Sequence, residues 1–426
     1  MEYKPRIIDD QLDLKLESFG ATLIVGPKGC GKTTSAKQKA KSYIEFQDED
    51  VRENLLSVAA DSPSKLLLGE KPRLFDEWQD APKLWGAIRK SVDDLGENGL
   101  YILTGSSSKD IAKPHTGTSR ISQLKMYPMS LYESGESNGT VSLLDLFNEG
   151  ETFDGCQSSL SIDGLIFALC RGGWPKSLMN KTERSQLEVA KDIYRQTYSV
   201  DISNIDGKNR NARLTEAILQ SYSRNICTTA KTKTIYDDVN ANFDVSRTTL
   251  DDYIEALEKL YIIDEIEAWR PAIRSRSAIR SSKKRNFIDP SIAVAALGLS
   301  PAYFDTDFKT LGFLFESLCI RDLKIYSAKF DGRIGYYRDR YGLKADCALH
   351  LNDGRYALIE FKIGSSQIDE AASHLIKIEG LIKQHNEKER QCPIRLPDLK
   401  IVITGSEYGY RRKDGVFVIP IGCLKD

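Results

Sequence analysis

Eight residues constrain this chain more than any others. Gly26-Pro27-Lys28-Gly29-Cys30-Gly31-Lys32-Thr33 follows the spacing G-x-x-x-x-G-K-[ST]. Glycines let a backbone turn sharply and aim its N–H groups at phosphate oxygens. Lys32 then reaches the β- and γ-phosphates, and Thr33 holds Mg²⁺ through its hydroxyl. The apolar run Ala21 to Val25 reads as a strand ahead of the loop. Thr34 to Tyr43 reads as a helix behind it, its positive end turned to the anion. Those flanks separate a phosphate loop from a chance glycine-rich turn. The expected ligands are ATP and Mg²⁺, with Gly26, Pro27, Lys28, Gly29, Cys30, Gly31, Lys32, Thr33 and Thr34 around the phosphates.

Two later segments fit the same site. Pro72-Arg73-Leu74-Phe75-Asp76-Glu77 is a strand ending in two acids. Asp76 is placed to bind Mg²⁺ and Glu77 to polarise the attacking water. Tyr101-Ile102-Leu103-Thr104-Gly105-Ser106 is a strand ending in hydroxyls. It reads equally as a γ-phosphate sensor through Thr104 or Ser106, or as a capped turn. Arg120 has two readings as well. A guanidinium at a subunit edge stabilises phosphoryl-transfer charge in a homo-oligomer, and an exposed arginine also makes ordinary surface salt bridges.

The chain has 426 residues, a length that suggests about three domains, and a formal net charge of -1. That balance excludes a uniformly basic surface, so nucleic-acid binding would need a local patch. No apolar run reaches the ~18 residues of a membrane span, and the N-terminus lacks a signal peptide's apolar core. The eight cysteines show no C-x-x-C spacing. They read as free thiols of a reducing cytoplasm.

The fold class expected is multidomain α/β. Residues 1–150 alternate strand and helix, as a parallel sheet with covering helices requires. Within them, Glu133 to Thr152 reads as a loop or linker. Residues 155–295 look helical, with Leu250, Ile254, Leu257 and Tyr261 at helical spacing behind an N-cap at Ser246. A strand-like Tyr261 to Ile266 follows, in the order of a winged helix-turn-helix. Arg270, Arg274, Arg276, Arg280, Lys283, Lys284 and Arg285 then form a dense basic stretch, 270–285. Such a stretch contacts a DNA backbone, or is a solvated loop or a protein contact. Residues 300–426 return to α/β. There Asp346 lies on one strand, Asn352-Asp353-Gly354 signals a hairpin, and Glu360 and Lys362 share a face of the next strand. Asp346 and Glu360 could hold a divalent metal while Lys362 orients water, with Glu316 from a preceding helix as a fourth member. An exposed hairpin with ordinary charges is the plain alternative.

The order of motifs resembles a family of bacterial and archaeal ATP-binding proteins that join an AAA-type ATPase to a C-terminal domain of unknown function. The carrying pieces include the glycine loop, Phe75-Asp76-Glu77-Trp78-Gln79-Asp80-Ala81-Pro82, Ser119-Arg120-Ile121, Tyr127-Pro128-Met129-Ser130-Leu131, Arg171-Gly172-Gly173-Trp174-Pro175, Phe287-Ile288-Asp289-Pro290 and Gly312-Phe313-Leu314-Phe315-Glu316. The resemblance implies an AAA core, a winged-helix middle and a restriction-endonuclease-like end. It implies nucleotide roles for Gly26, Gly29, Gly31, Lys32, Thr33, Asp76 and Glu77, and a phosphate-contacting role for Arg120. One departure stands out: Lys344 occupies a place where relatives often carry an acid.

Three functions follow. The first is an ATPase whose nucleotide state repositions its C-terminal domains. The second is an ATP-regulated, metal-dependent nuclease or DNA-binding protein. In the third, the C-terminal half is a non-catalytic interaction module.

Overall fold

Short apolar runs bounded by loops become five parallel strands: β1 (Ala21–Val25), β2 (Ser42–Glu45), β3 (Arg73–Asp76), β4 (Tyr101–Gly105) and β5 (Ile121–Lys125). The sheet order is β2-β3-β4-β1-β5. The computed structural model describes residues 3–105, 118–269, 271, 282–338, 343–388 and 393–426. Strands β1 and β4 are buried along their whole length, because helices cover both faces of a parallel sheet. On one face the helix Ile8–Ser18 sets Leu12 and Leu16 against Ile24 and Ile102. On the other, Trp78, Leu84, Trp85 and Ile88 pack on Leu23, Phe75 and Leu103. The helix behind the loop is shorter than its composition suggests. It spans Lys32–Lys39 and ends at Ala40, whose backbone is extended. Lys41 N–H then bonds to Pro72 carbonyl and starts β2, so Ser42 and Tyr43 are strand.

The expected linker 133–152 is ordered structure. Ser130 and Glu133 form a reciprocal capping box for the helix Leu131–Ser134. Next come β6 (Val141–Ser142) and the helix Leu143–Glu149, capped by the Ser142 hydroxyl. Leu143 and Leu146 are buried in the core shared with the C-terminal sheet. β7 (Cys156–Gln157) follows. Polar composition concealed this segment because its apolar residues are confined to positions 141–147, between stretches of Gly, Ser, Asn and Glu.

The middle of the chain is helical. Ser246 caps the helix Arg247–Lys259 by accepting from Thr249 N–H, and Leu250, Ile254 and Leu257 are buried. Tyr261 falls outside that helix, with a left-handed φ of 58°. Residues 261–266 do not form the expected regular strand. They make two antiparallel bridges, Ile263 to Phe287 and Ile266 to Lys284, and so become one arm of a narrow ribbon.

The C-terminal sheet holds seven strands, in the order β7-β12-β13-β11-β10-β9-β8. The later members are β8 (Arg333–Arg338), β9 (Lys344–His350), β10 (Tyr356–Lys362), β11 (Leu399–Thr404), β12 (Tyr408–Arg411) and β13 (Phe417–Pro420). β14 (Leu424–Lys425) pairs with β6. The β9–β10 pair is the expected hairpin. Ile359, Phe361, Ile401 and Ile403 face the helix Phe308–Ala328, and Leu358, Val402 and Val418 face the helix Ile368–Lys388. From far upstream, β7 forms one edge of this sheet through β12, and β6 pairs with β14 in a separate two-stranded sheet.

Candidate functional site: a phosphate loop and its neighbours

The loop leaves β1 at Val25. Gly26, Gly29 and Gly31 all have positive φ, at 153°, 78° and 104°. A Cβ on Gly26 would lie 2.2 Å from the Met126 carbonyl, so only glycine fits there. Gly31 is the N-cap of the helix that starts at Lys32. The Lys32 ammonium donates to the carbonyls of Gly26 at 3.0 Å and Pro27 at 2.9 Å. It therefore folds back over the loop, where an anion would draw it forward. Pro27 and Cys30 are buried and shape the loop; Lys28, Gly29 and Thr34 are exposed. Lys28 is turned away from the loop to Asp201, at 2.6 Å. Ile193 and Trp174, from the helical middle, stand about a van der Waals contact from Gly29.

β3 delivers the acids. Thr33 Oγ1 donates to Asp76 Oδ1 at 2.7 Å. These two oxygens, at the mouth of a phosphate loop, suit a hard cation that takes oxygen ligands and brings its own phosphates. Thr104 also donates to Asp76 Oδ1, and its oxygen accepts the Glu77 N–H at 3.2 Å. Thr104 is thus committed to holding the acids in place rather than free to sense a phosphate. Ser106, the other candidate sensor, lies outside the described residues. Glu77 has a left-handed backbone, φ 53° and ψ 48°, which is costly for a non-glycine residue. Its carboxylate accepts from the Gln79 side-chain amide.

Arg120 is not at this site. Its carbonyl accepts from Ala21 N–H, at the start of β1, and its guanidinium pairs with Asp93 at 2.6 Å. The loop leaves the other end of β1, about 13 Å away at the usual rise per strand residue. An own-chain role at the phosphates is therefore excluded. The resemblance conveys position along the chain, not which end of a sheet a residue occupies.

Sequence reading missed Arg6. Its buried guanidinium donates to the carbonyls of Cys30 and Tyr127, both at 2.9 Å, and pairs with Glu133 at 3.1 Å. It braces the loop from below. A lone arginine near a terminus carries no pattern that could have signalled this.

The C-terminal candidates are only partly assembled. Register beyond the Ile359–Cys347 pair sets Glu360 opposite Asp346 on one sheet face. Both are buried, and one Glu360 carboxylate oxygen has no hydrogen-bond partner. Burial, and then the Asp346 charge, push the Glu360 carboxyl up to about 8. Lys362 lies 3.0 Å from Glu360 and 4.0 Å from Asp346, and Lys344 lies 3.7 Å from Asp346. Glu316 does not join this pair as a ligand, because its carboxylate is bound by Lys284. Burial pushes Glu316 up to about 7 against that lysine's pull. Among the described residues, no three His, Cys, Asp or Glu side chains are placed to hold a metal ion.

The basic stretch is also redirected. Lys284 is buried between Glu316 and the Asp346 carbonyl. Arg285 is buried against Tyr222, Glu265, Ala230 and Thr232. Neither can reach a DNA backbone. Lys283 is exposed and pairs with Glu267. Arg270, Arg274, Arg276 and Arg280 lie outside the described residues.

Residues 18–135 match the family described as AAA domain. The N-terminal region is of the AAA type. After the AAA match, residues 162–303 match a domain of unknown function (DUF8612) and residues 311–424 another (DUF4143). A Walker-type ATPase of Pyrococcus abyssi is similar in structure at 15% identity, over 68% of this chain and 94% of its own, with a TM-score of 0.42. No curated protein matches the chain. No helix among the described residues is long and apolar enough to cross a membrane.

The remaining family motifs are joints between regions rather than chemistry. Gly173 N–H donates to Asp289, Asp289 accepts from Arg321, Arg321 pairs with Asp322, and Asp322 accepts from Leu131 N–H. Trp174 is fully buried and donates to Ser291. One buried network thus links the AAA match, the helical middle and the C-terminal half.

Proposed function

We propose that this protein binds Mg·ATP at residues 26–34 and hydrolyses it, and that nucleotide occupancy controls the C-terminal half. The observation that carries the reading is the Thr33–Asp76 hydrogen bond at the mouth of a glycine loop of the right conformation. Thr33 and Asp76 would hold the Mg²⁺, which supplies charge neutralisation for the β- and γ-phosphates. Lys32 exchanges the Gly26 and Pro27 carbonyls for phosphate oxygens. Glu77 orients the water once its carboxylate leaves Gln79. Asp76→Asn should cost at least tenfold in Mg·ATP affinity while metal-free ATP binding changes little; equal losses in both would count against the assignment.

For the C-terminal half, the observations favour an interaction module over a nuclease. Lys344 and Lys362 already occupy the positions beside Asp346 and Glu360, and Lys284 binds Glu316. The expected result is no nicking of DNA or RNA with Mg²⁺ or Mn²⁺. Cleavage abolished by Glu360→Ala would restore the nuclease reading.

A further inference from the structure

Asp264 lies on the ribbon that follows the helix Arg247–Lys259, and it belongs to no site described above. Its side chain is mostly buried. Lys125, the last residue of β5, lies 2.6 Å from Oδ1. Lys324, on the helix Phe308–Ala328, lies 2.5 Å from Oδ2. One carboxylate therefore binds one ammonium from the AAA domain and one from the C-terminal half. Two ammonium groups, Lys324 mostly buried and Lys125 about one-third exposed, exceed its single charge. The Tyr127 ring, 4.8 Å from Lys125 Nζ, and the Tyr261 ring, at 5.9 Å, take up part of the excess.

Both ends of this joint lead to something. Lys125 is the strand partner of Val25, the residue before the loop. The next residue, Met126, donates to the Val25 carbonyl at 2.7 Å, and its own carbonyl faces Gly26. A shift of the loop is thus passed to Lys125 through backbone alone. At the other end, Lys324 shares its helix with Glu316, Arg321 and Asp322. The ribbon itself places Lys284 against Glu316, because Ile266 and Lys284 exchange both backbone hydrogen bonds. Two ammonium groups that repel each other share one carboxylate, so displacing either changes how tightly the other is held.

We infer that Asp264 is a positioning residue that couples the nucleotide loop to the C-terminal sheet through Lys125 and Lys324. The coupling rests on the proposed nucleotide reading, and the test separates the two. Binding of Mg·ATPγS and backbone hydrogen exchange are measured on the same full-length samples, for the natural protein and Asp264→Asn. The expected result is nucleotide binding by both, within about threefold. Exchange across residues 308–328 should change severalfold on binding in the natural protein only. Where Asp264→Asn is too unstable to use, Lys324→Met cuts the C-terminal arm and keeps the Lys125 pair, with the same expectation. An exchange response retained in the variant overturns the inference. So does binding by the natural protein with no response in residues 308–328. Absence of Mg·ATPγS binding overturns the nucleotide reading itself, and the coupling with it.

Discussion

The Lys125 ammonium reaches Oδ1 of Asp264 at 2.6 Å, and it does so from the residue that pairs with the last strand position before the phosphate loop. Burial alone would raise the Asp264 carboxyl, but Lys324 and Lys125 outweigh burial and hold it at about 2. A carboxyl whose folded value lies below its unfolded value of about 3.9 stabilises the fold in full above that value. The contribution is of order 2 kcal/mol and disappears as pH falls from about 4 toward 2. Asp264→Asn removes the carboxylate that Lys324 and the partly exposed Lys125 share, and should cost about 1.5–3 kcal/mol at neutral pH. Denaturant melts from pH 2 to 7 should show a shallower acid limb for the variant; parallel curves would contradict the placement of this pair.

Gly173 meets the Met129 backbone so closely that an added Cβ would lie 2.0 Å from its carbonyl oxygen. Gly173→Ala should therefore destabilise the chain by about 1–3 kcal/mol or more, through forced backbone movement. A thermal melt unchanged within error would show that the joint is looser than described.

Thr104 is fully buried, donates to Asp76 and accepts from Glu77 N–H. Thr104→Val keeps its shape and removes both bonds. Turnover should fall by about tenfold or more, since lost hydrogen bonds to charged groups cost about 1.5–3 kcal/mol. Nucleotide affinity should stay within a few-fold. A selective loss of affinity with kcat unchanged would instead mean that Thr104 serves binding.

Arg120 pairs with the exposed Asp93 at the far end of β1. Arg120→Ala should leave nucleotide affinity unchanged within about twofold and stability within about 1 kcal/mol, as for other surface pairs. Titration of Mg·ATPγS decides this, and a tenfold weakening would contradict the geometry.

The glycine loop was legible because its geometry is local. Strand, glycines, lysine and threonine follow one another, and each needs only its neighbours to adopt its geometry. The Ser246 cap and the β9–β10 hairpin were legible for the same reason. What the sequence hid depends on partners far along the chain. Lys284 and Arg285 read as a solvent-facing basic run, yet Glu316 and Glu265 bind them inside the protein. The 133–152 stretch read as linker because the partner that orders it, β14, comes only at the far C-terminus. Asp264 had no signal at all, since a lone aspartate becomes a joint only when two lysines from elsewhere converge on it.

The most direct test of the account is phosphate release from Mg·ATP by the full-length protein, compared with Lys32→Ala. Loss of the ammonium that leaves Gly26 and Pro27 for the phosphates should reduce the rate by at least a hundredfold, about 2.7 kcal/mol of transition-state stabilisation. Turnover that is real in the natural protein and unchanged in the variant would contradict the assignment of this loop as the ATP site.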